Sequence, residues 1–123
     1  SALTVDMLGA FGDDIVAMVR WARTAKPGDY GAFAPRVFQH AAKGDPIALA
    51  TVGAAADAIA ALARGAVGLG AVRVALVGGA GEALRPYLEP EIAAMLARPL
   101  YDATDGAILL AGGVVTSERE AAQ

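Results

Sequence analysis

The sequence predicts a single α/β domain that is helix-rich, and three features predict it. Alanine-rich and amphipathic stretches with caps or prolines at their starts occupy the first seventy residues. One short β-branched run, VRVALV at 72–77, follows them. That run feeds a glycine turn, further helical segments and a brief second apolar stretch, so the order of elements is α/β although the content is mostly α. At 123 residues the chain is too short to divide into domains. It reads as a helical segment over 3–70, a strand, glycine turn and helix segment over 71–113, and a polar tail over 114–123.

Thr4 is placed to cap a first helix running to about Phe11, which Gly12 ends. Asp13 or Asp14 then caps IVAMVRWARTA, stopped by Pro27 and Gly28. From Asp29, the apolar residues Tyr30, Phe33, Ala34, Val37, Phe38 and Ala41 fall on one face of a 3.6-residue period. Pro35 lies within that stripe and predicts a kink or a fresh helix start, because its ring clashes with the carbonyl of Gly31. KGDP supplies a stop at Gly44, an N-cap at Asp45 and a first-turn Pro46, opening a long alanine-rich helix over 46–70. VRVALV is nearly continuous in apolar character, as a strand covered on both faces by helices should be. Beyond the glycines, EALRPYL and PEIAAMLA predict two short helices broken by Pro86 and Pro90. RPLYD is a candidate second strand, and TDGAILLAGG a closing helix with Asp102 or Asp105 at its N-terminus. The tail TSEREAAQ, with the charge run Glu118, Arg119 and Glu120, reads as a frayed polar end.

Composition narrows the partners. A hydrophobic fraction of 56% and a mean hydropathy of +0.48 are high for so short a chain, which leaves apolar surface for something the chain does not contain. A formal net charge of -3 and a pI near 5.0 provide no basic footprint for nucleic acid. The absence of cysteine removes disulfides, thiolate metal sites and cysteine nucleophiles together. No basic start followed by an apolar core marks a signal peptide. Residues 46–70 are long enough to span a bilayer, but Asp57 and Arg64 would each cost about 2.5 to 3.5 kcal/mol in the hydrocarbon. A soluble core helix, and no membrane, is the expectation.

The glycine turn is the one feature suited to a ligand. A strand running into GGAG and a helix brings small residues where a ligand can approach the backbone. The dinucleotide pattern G-x-G-x-x-G is matched only in part, because Leu84 stands where its last glycine belongs. Asp102 follows Gly81 by about 20 residues, where a ribose-binding carboxylate would sit. Pro86 and Pro90 break the crossover helix, so a self-sufficient dinucleotide domain is disfavoured, and close helix–strand packing stays open as the role of the glycines. His40 is the sole histidine, which excludes a two-histidine metal site; it is expected to face solvent or to serve a helix C-terminus. Asp6, Asp13, Asp14, Asp45 and Asp102 are expected at caps or turns, in structural roles. Trp21, Phe33 and Phe38 fall on helical stripes and read as core. No P-loop lysine, G-x-S-x-G or H-E-x-x-H motif is present.

The succession FGDDIVAMVRWA, PGDYGAFAPRVFQHAAKGDPIA, VRVALVGGAGEALRPYLEP and DATDGAILLAGG resembles the C-terminal part of bacterial N-acetylglucosamine and glucosamine kinases of the BadF/BadG/BcrA/BcrD-type ATPase family, over roughly residues 3 to 113. The resemblance implies a partial RNase H-like lobe of the sugar kinase, heat-shock and actin superfold, with one or two parallel strands packed by helices. It places Gly78, Gly79 and Ala80 against the adenosine of ATP, with Gly81 and Glu82 starting the next helix. Gly78 and Gly79 lack a Cβ, so a nucleoside can lie on their backbone. In this sequence Ala80 and Gly81 stand where a bulkier pair is expected. The implied cofactors are ATP and Mg²⁺, and the implied partners are an amino sugar and a missing N-terminal lobe, with a homodimer left open and a cytoplasmic location. The phosphate loops, the catalytic aspartate and the Mg²⁺ ligands belong to that lobe, so no catalytic or metal residue is assigned to this chain, which would be inactive alone. An ATPase subunit or activator of the same superfold, or a non-enzymatic helical interaction module, are the other functions compatible with these residues.

Overall fold

The computed structural model describes residues 1–115; the charge run at Glu118, Arg119 and Glu120 lies outside them. Helix α1 (Ala2–Gly9) is capped by Ser1, whose hydroxyl oxygen accepts from the Thr4 amide, so Thr4 is not the cap. The two residues lie one turn apart, and their hydroxyls also bond each other at 3.0 Å. Gly12 (φ 67) and Asp13 (φ 59) then turn the chain in the left-handed region, which Gly and Asp tolerate best. Asp14 caps α2 (Ile15–Ala22) by accepting from the Val16 amide. The predicted stripe from Asp29 divides in two: α3 (Pro27–Gly31) and α4 (Ala34–Ala42), with Pro35 in the first turn of α4. The fresh start at Pro35 follows from its missing N–H, which costs nothing at a helix start.

Helix α5 (Pro46–Gly68) is the axis of the fold. Its buried residues Ala48, Val52, Ala56, Ala60 and Ala63 trace one narrow stripe. The upper part of that stripe meets Leu3 of α1, Ala41 of α4 and Leu84. The lower part meets Leu88 and Ile92, the latter with 0% exposure. Small side chains on α5 let its neighbours approach closely, and Met7, Val37, Phe38 and Tyr87 fill in from the sides. By length and apolar composition α5 could also cross a membrane, but here Arg64 reaches Glu89 at 2.6 Å and Asp57 is exposed.

Residues 72–77 depart from expectation. VRVALV forms no extended strand; it makes one isolated parallel bridge, Val74 to Leu96, beside an Ala97 N–H to Val74 carbonyl bond of 2.8 Å. RPLYD forms no strand either. A strand is stable only with a ladder partner, and among the described residues only the stretch at Leu96 and Ala97 lies alongside. Val74 and Leu76 still pack onto the lower core, whereas Val72 and Val77 are exposed. The architecture among the described residues is therefore helix-rich with one parallel β contact, compatible with part of an α/β lobe. After the glycines come α6 (Gly79–Leu84), a 3₁₀ turn (Arg85–Tyr87), α7 (Pro90–Met95) and α8 (Ala103–Leu110). Asp102 and Asp105 form a reciprocal capping box at the start of α8.

Candidate functional site

The glycine turn has a defined geometry. Gly78 is the N-cap of α6 with φ 92 and ψ 157, and its carbonyl accepts from the Glu82 amide at 3.0 Å. The helix thus begins at Gly79, two residues before the expected start at Gly81 and Glu82, because Gly78 can adopt a φ that closes the first turn early. Each glycine answers a different demand. Gly78 holds a left-handed backbone, and a Cβ on Gly81 would lie 2.9 Å from Cγ of Leu76, so helix and strand segment meet there. A Cβ on Gly79 meets nothing within 4 Å. Neither packing nor conformation requires glycine at position 79.

One residue on, Ala80 lines an apolar cleft of about 300 Å³ between α4, α5 and α6. Phe33, Val37 and Phe38 form one wall, Val52 and Ala55 of α5 another, and Ala80 with Leu84 the third. The wall is braced from behind. The Phe33 ring meets Trp21 edge-on at 5.4 Å and Phe11 at 5.8 Å, and Phe38 lies 6.4 Å from Tyr87. Tyr30 stands at the rim, its hydroxyl donating to the Ala22 carbonyl at 3.2 Å. Of the three residues placed at a ligand, the fold brings Ala80 to this cleft, while Gly78 and Gly79 lie exposed on the turn leading into it. The cleft walls were missed as site residues because the stripe that identifies them is the ordinary signature of a core-facing helix. Phe33 and Phe38 are half-buried and serve as both core and wall.

Several charged groups elsewhere hold elements of the fold together. Burial works to raise the Asp45 carboxyl, but the Leu3 and Ala48 amides, the Ser1 hydroxyl and the Ile47 amide outweigh it and bring it down to about 2. Asp45 thereby joins the start of α5 to the start of α1. Asp6 lies within α1, not at a cap or turn, and accepts from Arg36 Nη1 at 3.1 Å while meeting His40 Nε2 at 3.1 Å. His40 does occupy the last turn of α4, but its side chain is only 16% exposed; pairing across to α1 has taken it out of solvent. Glu82 receives Nε and Nη2 of Arg85 at 2.9 and 3.3 Å, and those bonds hold its carboxyl below the ordinary value. Among the described residues no group of three or more His, Cys, Asp or Glu side chains is gathered to hold a metal ion.

Over 106 residues, 86% of its length, the chain is 35% identical to glucosamine kinase GspK of Vibrio cholerae serotype O1. This chain is similar to a glucosamine kinase. It spans 36% of that protein's length, so the similarity concerns about a third of the relative. No family model matches the chain, and no solved structure matches it.

Proposed function

We propose that this chain forms the adenosine side of an ATP-dependent amino-sugar kinase, which transfers a phosphoryl group to glucosamine or N-acetylglucosamine. The observation that carries this is the 35% identity to a glucosamine kinase across 86% of the chain. The geometry supports it locally. Gly79 is a glycine with open space where its Cβ would be, and it precedes Ala80, which lines an apolar cleft of about 300 Å³, at the small end of the range for small-molecule pockets. A nucleoside laid across Gly78 and Gly79 would enter that cleft with its base between the Phe33 and Phe38 wall and Ala80.

Phosphoryl transfer rests on positioning and on neutralising charge at the transferring phosphate. In this proposal the chain supplies positioning, through a rigid turn and a braced apolar wall. Mg²⁺, its ligands, the phosphate loops and the base that takes the sugar hydroxyl proton are assigned to parts of a longer kinase that this chain does not contain. The protein is proposed to be cytoplasmic, where ATP is available.

The test is calorimetric titration of the full-length kinase with ATP and Mg²⁺, wild type against Gly79→Val, with ADP release followed on glucosamine and N-acetylglucosamine. The expected result is sugar-dependent ADP release by the wild type, and loss of ATP affinity in a Gly79→Val protein whose melting curve is unchanged. Normal ATP binding by Gly79→Val would make the turn a packing device. No ATP binding by the wild type would favour a helical interaction module instead.

A further inference from the structure

Helix α6 has a second side. Ala80 and Leu84 face the apolar cleft, whereas Glu82 and Arg85 line a separate cleft of about 360 Å³, closed by Leu96, Ala97, Arg98 and Pro99. This cleft lies where the chain returns beside Val74, and two contacts pin its floor: the Ala97 N–H to the Val74 carbonyl, and the Arg73 guanidinium to the Arg98 carbonyl. Arg85 is held through Nε and Nη2 by both oxygens of Glu82, which leaves its Nη1 edge without a partner among the described residues. The Arg98 side chain makes no hydrogen bond or ion pair among the described residues. In a chain of net charge -3, Arg85 and Arg98 line this cleft together with Glu82, whose carboxylate is already paired with Arg85.

We propose that this cleft binds the phosphate group of a small phosphorylated, hydroxyl-bearing metabolite, at a site distinct from the Ala80 cleft. The planar fork of Arg98 and the remaining Nη1 edge of Arg85 suit a phosphate's oxygens. Glu82, which would repel a bare anion, is satisfied by Arg85 and accepts a hydroxyl from the ligand, so a sugar phosphate fits better than inorganic phosphate. Pro99 stiffens the chain after Arg98 and holds the cleft's outer lip. The proposal does not depend on the chain belonging to a kinase, because none of these residues is assigned to the nucleotide.

Calorimetric titration of the full chain with glucose 6-phosphate, inorganic phosphate and glucose tests it. Saturable binding of glucose 6-phosphate, weaker binding of inorganic phosphate and none of glucose are expected. Arg98→Gln should weaken the phosphate ligands by about tenfold, the loss of one charge-assisted contact, with an unchanged melting curve because Arg98 is exposed. Arg85→Gln should weaken them more, because it also leaves the Glu82 carboxylate unpaired against the phosphate. No saturable binding of glucose 6-phosphate by the wild type, or unchanged affinity in both variants, overturns the site. ATP displacing glucose 6-phosphate would instead show that the cleft receives the nucleotide's own phosphates, and would overturn its independence from the nucleotide.

Discussion

Gly78, Gly79 and Gly81 stand almost side by side and are constrained by different forces, which makes substitution at each informative. Gly81→Ala should destabilise by about 1–3 kcal/mol, since its Cβ would lie 2.9 Å from Leu76. Gly79→Ala meets open space in a helical first turn and should be neutral or stabilising by up to about 1 kcal/mol. Chemical denaturation of both variants checks the contrast. A second residue-level prediction concerns acid. The Asp45 carboxyl is brought from 3.8 to about 2 in the folded chain, so its stabilisation is complete above the unfolded value and is lost as pH falls toward the folded one. Thermal melts should show that Asp45→Asn flattens the acid limb of stability between 3.8 and about 2. Asp45 and Pro46 were legible in the sequence because capping is local chemistry; the long-range bond from Asp45 to the Leu3 amide, across 42 positions, was not.

At the scale of elements, α5 depends on small side chains. Ala60 is 2% exposed against Leu88 and Ile92, whereas Ala61 faces outward. Ala60→Leu should therefore cost about 1–3 kcal/mol by overpacking, and Ala61→Leu should leave the melting temperature nearly unchanged. The start of α5, the break at Pro35 and the Asp102 cap were all visible in sequence, because each rests on residues within one turn of each other. The pairing of Asp6 with Arg36 and His40 was not, because it joins helices 30 and 34 positions apart. In the candidate site the turn was legible from its glycines. The cleft it leads into was hidden, since Phe33 and Phe38 carry the same periodicity whether they line a pocket or a core.

Across the whole molecule, apolar surface is left uncovered on α2 at Ile15, Val16 and Val19 and at Val72 and Val77. The amides of Val72, Arg73, Ala75, Leu76 and Val77 make no backbone hydrogen bond among the described residues. Hydrogen exchange should find them among the fastest outside the chain ends, with α5 the slowest and the Ala97 amide protected by Val74. Uniform protection across 72–77 would show that the segment pairs with another chain in solution. The sequence by itself determined the starts of α4, α5 and α8, the helix-rich character and the position of the glycine turn, because these follow from backbone chemistry within a few residues. Tertiary structure alone decided that VRVALV stays a single bridge, that His40 turns inward to Asp6 and that α6 separates an apolar cleft from an arginine-lined one. Each of those outcomes depends on which distant segment arrives alongside, and local propensity carries no information about that partner.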